Sequence, residues 1–164
     1  MAGSPKLDRI DINILSTLQA QGNITNVNLA SAVGLSPSPC LQRVKRLEKA
    51  GYIQNYRAVL NLKKLADHVI VFTEITLADH RRKDFIKFEN EIRTHDNVVE
   101  CHLLSGGYDY LLKFVARGVS QYQEIMENLL DRNLGIDKYF SYIVIKPVVE
   151  KHSLPIQDLV NRDE

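Results

Sequence analysis

Apolar positions along the first third of the chain recur every three or four residues. Ile10, Ile14, Leu15 and Leu18 follow Asp8 at this spacing and stop before Gly22, which predicts a helix over 8–21 with Asp8 as its N-cap. A shorter helix is predicted from about Asn26 to Val33, with Leu29, Ala30 and Val33 inward and Gly34 supplying the turn. In "SPSPCLQRVKRLEKAG", Ser36 caps a third helix over 37–50. Pro37 and Pro39 both fall in its first turn, where amide groups lack intrahelical partners. On a wheel, Cys40, Val44 and Leu47 gather on one side with Leu41 flanking. Ser38, Gln42, Lys45, Arg46 and Lys49 gather opposite.

From residue 67 the period changes. "HVIVFTEITL" (68–77), "VVECHLLS" (98–105), "YDYLLKFVA" (108–116) and "KYFSYIVIKPVV" (138–149) alternate as strands. Amphipathic helices are predicted over 81–95 and 120–132. The order β-α-β-β-α-β is that of the ferredoxin-like unit, giving an α+β fold class. Four divisions follow: a helix-turn-helix over 1–51, an extended link or wing over 52–66, a ferredoxin-like domain over 67–150, and a tail over 151–164 whose "LPIQDLV" suits a short helix or a mobile end. The first and last strands are apolar on both faces: Val69, Val71 and Ile75 oppose Ile70 and Phe72. Such strands need both faces covered, which predicts a second copy of the chain on the face without helices.

Charge sharpens this division. Residues 1–64 carry nine Lys or Arg against three Asp or Glu, a net +6, whereas the remainder is −5. A basic module suits a polyanion. Together with three short helices, the last basic in front and apolar behind, it points to double-stranded DNA in the manner of a helix-turn-helix. The competing reading is a solvated basic face on an ordinary interaction module. Asn26, Ser36, Pro37, Ser38, Gln42, Arg43, Lys45, Arg46 and Lys49 are the candidate DNA-binding residues. Ser36, Ser38, Gln42 and Arg43 suit base or phosphate contact, and Lys45, Arg46 and Lys49 suit mainly phosphates.

Catalytic chemistry finds little support. The five histidines lack metal-site spacing, and no P-loop, GxSxG or GxGxxG occurs, so neither an enzyme nor a metal or organic cofactor is expected. Glu100 and His102 share a strand face without a partner motif. Cys40 and Cys101, with no CxxC, read as buried thiols. The polar start "MAGSPKLDRID" and the shortness of every apolar run predict a cytoplasmic protein, nucleoid-associated, without membrane contact. The turn "SGGYDYLL" (105–112) has two readings. It is either a tight hairpin that needs glycine, or a site where free amides meet a carboxylate and Asp109 meets an ammonium group.

"LDRIDINIL", "NVNLASAVGLSPSPCLQRVKRLEKAGYI", "VECHLLSGGYDYLLKF" and "YIVIKPV" together resemble the Lrp/AsnC, or feast/famine (leucine-responsive), family of transcription regulators, from Leu7 to about Val149. The resemblance implies dimers that assemble further, often to octamers, and an amino-acid effector where dimers meet. By the same resemblance, Gly106, Gly107, Tyr108, Asp109 and Tyr110 form the effector loop, and Ser141 stands where many members have Thr. Gly107 replaces an Asp found in members nearest the leucine responders. A ligand-independent, DNA-compacting protein of the same build is the alternative; an amino-acid-binding subunit without DNA binding is a second.

Overall fold

Asp8 opens the first helix through a reciprocal capping box. Its Oδ1 accepts the Asp11 N–H at 2.8 Å, and Asp11 Oδ2 accepts the Asp8 N–H at 3.1 Å. The computed structural model describes residues 6–160, so residues 1–5 of the expected first division and 161–164 of the expected tail lie outside it. Helices α1 (Arg9–Ala20), α2 (Asn26–Ala32) and α3 (Pro37–Lys49) enclose Ile14, Leu29, Ala30, Cys40, Val44 and Leu47. Gly34, at φ +71°, makes the turn between α2 and α3, and there Leu35 N–H returns to Ala30 C=O at 2.8 Å. Truncating the fully buried Leu47 to Ala would remove about 2–5 kcal/mol from this small core.

The chain forms two compact units, Met1–Leu60 with Val149–Glu164, and Asn61–Val148. In the first, Gln19 holds the tail ahead of helix α7 (Ile156–Val160) through both of its amide atoms. Its Nε2 donates to Leu154 C=O at 2.9 Å, and its Oε1 accepts the Leu154 N–H at 2.8 Å. Residues 53–61, expected as a link or wing, form no strand, and the single turn α4 (Leu62–Leu65) follows them. Val59 and Leu60 are apolar and exposed, and a strand needs a ladder partner that this stretch does not find among the described residues.

The second unit holds a four-stranded antiparallel sheet in the order β2-β3-β1-β4, with β1 (Val69–Leu77), β2 (Val98–Leu103), β3 (Tyr110–Ala116) and β4 (Ile136–Ile143). Helices α5 (Arg82–Ile92) and α6 (Val119–Asp131) complete the ferredoxin-like order. Val71, Ile75 and Leu77 of β1 and Leu112 and Phe114 of β3 pack with Phe88, Ile92, Met126 and Leu129 of the helices. The last strand starts earlier and stops earlier than the apolar pattern suggests. Its partner β1 ends the ladder near Val71↔Ile143, and Pro147 beyond has no N–H to continue it.

Cys40 is fully buried, but Cys101 is exposed, contrary to its apolar context. It lies on β2, an edge strand, and alternation along a strand does not reveal whether the strand is at the edge. Burial of its Sγ and the nearby Glu89 carboxylate still push the Cys101 thiol up to about 11.

Candidate nucleic-acid interface and sensing loop

Helix α3 begins without the help expected of Ser36. Ser36 has the extended backbone of an N-cap, yet its hydroxyl makes no capping bond. An N-cap oxygen normally receives the N–H of the second or third helical residue; Pro39 at the third has none, which leaves Ser38 at the second as the one donor in place. Ser36 and Ser38 therefore present exposed hydroxyl groups beside a helix N-terminus, a setting that favours anions. Pro37 fixes the entry, and Asn26 donates from Nδ2 to the Pro37 C=O at 2.8 Å, tying the start of α2 to the first turn of α3. Gln42, Lys45 and Lys49 are exposed, and neither lysine has a carboxylate partner among the described residues.

The arginines differ. Arg43 Nη1 donates to Asp8 Oδ2 at 2.7 Å and to Asp11 Oδ1 at 2.9 Å, and Arg46 Nη2 donates to Asp11 Oδ2 at 2.5 Å. Both were candidate DNA-binding residues in the sequence; the fold pairs both with carboxylates of the first helix and its cap, and Arg46 stays about half exposed. The Asp11 N–H and then the Arg43 guanidinium hold the Asp8 carboxyl below its usual range. The spacing Asp8-x-x-Asp11 shows a capping box, but the arginine partners lie more than thirty residues away and leave no local signal. Behind α3, Tyr56 donates to Glu48 at 2.9 Å; burial and that carboxylate push the phenol up to about 12.

In the second unit the loop before β3 is fixed at one end. Asp109 N–H donates to Ile75 C=O at 2.9 Å, and Asp109 C=O accepts the Leu104 N–H at 2.8 Å. The Asp109 carboxylate accepts the Leu77 N–H at 2.7 Å and lies 3.0 Å from His80 Nε2. Neither Leu77 nor His80 was singled out by the sequence, because both contacts span about thirty residues. Gly106 and Gly107 have no left-handed φ, and a Cβ at either would meet nothing within 4 Å. The tight-hairpin reading therefore does not explain them. Tyr108 is half-buried beside them.

Tyr110 and Ser141 point elsewhere. Tyr110 is 1% exposed, donates to Glu89 at 3.0 Å and packs on Phe88 with ring centroids 4.5 Å apart. Burial pushes its phenol upward. The Ser141 hydroxyl is bonded to that of Tyr122, which meets the buried Thr73 hydroxyl at 2.8 Å. The Glu100 carboxylate accepts from Lys113 at 2.9 Å and lies 3.4 Å from His102. Lys113 and then His102 hold it below the usual carboxylate range. That arrangement is an ordinary surface ion-pair cluster.

Comparison with known proteins now decides the family. The Lrp/AsnC ligand binding domain profile matches residues 70–154, and a winged helix-turn-helix DNA-binding profile matches residues 7–54. The leucine-responsive regulatory protein of Klebsiella pneumoniae is 43% identical over 151 residues, covering 92% of each chain.

The chain belongs to the Lrp/AsnC family.

The transcriptional regulatory protein DoeX of Halomonas elongata is also 43% identical, over 94% of this chain and 98% of its own. A Neisseria meningitidis transcriptional regulator, solved as its complex with L-methionine, superimposes with a TM-score of 0.88 at 32% identity, over 94% of this chain and 99% of that one. The protein is thus a DNA-binding transcription regulator whose second domain is of the ligand-binding type. Among the described residues no helix is long and apolar enough to cross a membrane.

Proposed function

We propose that this regulator places α3 in the major groove of duplex DNA and that a free amino acid, held at loop 105–109 where dimers meet, sets how tightly it binds. It acts in the cytoplasm, at the nucleoid, by binding and not by catalysis. Gln42 reads a base edge, where a side-chain amide can pair bidentately with adenine. Ser36, Ser38, Lys45 and Lys49 meet phosphates. Pro37 and Asn26 shape the start of α3.

The observation that carries the effector assignment is the loop's glycine pair. Their own fold does not require them, and the space a side chain would fill is open. Free backbone amides there suit a carboxylate, and Asp109 gives the loop its one carboxylate for an ammonium group. The Neisseria relative was solved with L-methionine, which is such a zwitterion. The Tyr110 hydroxyl is engaged by Glu89 and the Ser141 hydroxyl by Tyr122, which leaves the loop glycines and Asp109 to carry the effector. The exposed Phe140 and Tyr142 of β4 support self-assembly on the face away from the helices.

Thermal-shift screening against the twenty amino acids tests the reading. A ligand at a hundred times its dissociation constant stabilises the folded state by about 2.7 kcal/mol. A clear rise in Tm for one or a few amino acids is expected. A flat response to all twenty would favour the ligand-independent, DNA-compacting alternative.

A further inference from the structure

Asp11 is fully buried, yet it carries a carboxylate. Its two oxygens receive Arg43 and Arg46 separately, at 2.9 and 2.5 Å, and the second oxygen also closes the capping box of α1. A buried charge persists only when it is paired and hydrogen-bonded. Arg43 and Arg46 are three residues apart, so they leave α3 from one face. A single carboxylate gripping both therefore fixes the roll of α3 about its axis as well as its distance from α1. Asp8 completes the cluster, and two carboxylates then face two guanidinium groups. The cations of α3 left without a carboxylate partner among the described residues are Lys45 and Lys49.

We infer that Asp11 is a positioning residue for DNA recognition: its buried carboxylate sets the roll of α3 and withdraws Arg43 and Arg46 from phosphate contact. This favours a specific sequence over random duplex, because guanidinium–phosphate attraction is blind to sequence. The inference rests on α3 being the recognition helix.

The test uses the full chain and fluorescence anisotropy across a range of salt concentrations. One probe is a duplex that the wild type selects from a random-sequence pool; the other is a scrambled duplex of the same length and composition. Lys45→Gln should flatten the slope of log affinity against log salt by about 0.9, one counterion. Arg43→Gln and Arg46→Gln should each change that slope by less than half as much, while narrowing the specific-to-scrambled ratio several-fold. Asp11→Asn keeps the shape and leaves Arg46 without a carboxylate, while Arg43 keeps Asp8. It should tighten scrambled DNA, steepen the slope by about 0.9, and narrow the ratio.

Should Asp11→Asn fail to fold, the two arginine variants decide. Arg43→Gln or Arg46→Gln flattening the slope as much as Lys45→Gln would overturn the inference, since these side chains would then be touching phosphates. An Asp11→Asn protein with unchanged slope and ratio would also overturn it and leave Asp11 a role in folding only. No response from Lys45→Gln, with the arginine variants also silent, would instead remove α3 as the recognition helix and the inference with it.

Discussion

Asp8 shows how one side chain ties local to distant structure. It caps α1, and it receives Arg43 from α3. The Asp11 N–H and then Arg43 hold its carboxyl below the ordinary value of 3.8. The stability this contributes is present above that ordinary value and is lost as pH falls through the depressed one. Asp8→Ala should cost about 1 kcal/mol in denaturant unfolding at neutral pH, in line with loss of an N-cap. The gap from wild type should begin to close as the pH drops below about 4, where the carboxylate of the unfolded chain takes its proton first, and should be gone below the depressed value of the folded protein. A gap that stays constant down to that acidity would show that neither the cap nor the ion pair depends on charge. The cap was legible because Asp8 precedes a periodic apolar run. The Asp11–arginine pairs were not, because only the packing of α1 on α3 brings them together. Ser36 was legible as the N-cap; that Pro39 removes one of the two donors such a cap could accept follows from the sequence only once the cap position is fixed.

At the scale of elements, α3 separates two kinds of contact. Lys49→Ala should weaken binding to every duplex and flatten its salt dependence by roughly one counterion. Gln42→Ala should leave the salt slope unchanged and narrow the difference between a selected and a scrambled duplex, by about 1–3 kcal/mol. Gel shifts at several salt concentrations read both effects; equal behaviour of the two variants would count against the division of labour. Helices α1 to α3 were legible to within a residue or so, since each has a cap residue before it, a glycine after it and a clear apolar stripe. Helix α5, with no side-chain cap or flanking glycine, ends three residues earlier than expected, and the single turn α4 was not expected. The strands were legible in type and order, but their ends were not. Where β4 stops depends on the length of its partner β1. The extended stretch after α3 reads as β-prone because its residues are, yet a strand also requires a neighbour.

For the whole molecule, the sheet leaves Phe140 and Tyr142 more than half exposed on the face that Ile70 and Phe72 share. Apolar aromatic groups laid out along an edge strand favour a second copy of the chain. Tyr142→Glu and Phe140→Glu together should reduce the species seen by light scattering at micromolar concentration to one monomer mass, with the far-ultraviolet dichroism unchanged. The β-α-β-β-α-β order, and with it the ferredoxin-like topology, followed from where the hydrophobic period changes along the chain. The placement of Asp109 against Leu77 and His80 did not, because a sheet brings together strand ends that no spacing rule connects. The central claim joins the two domains: an amino acid at the Gly106–Tyr110 loop changes the affinity of α3 for DNA. Asp109→Asn probes it well, because the amide oxygen still accepts the Leu77 N–H while the negative charge is gone. The most direct measurement is duplex affinity by fluorescence anisotropy, titrated with each of the twenty amino acids, for the wild type and Asp109→Asn. At least one amino acid is expected to change the wild-type affinity by about 5- to 150-fold, the usual range of allosteric coupling, and the Asp109→Asn response should be at least tenfold weaker in effector concentration. An equal response from the two proteins, or none from the wild type to any amino acid, would contradict the account.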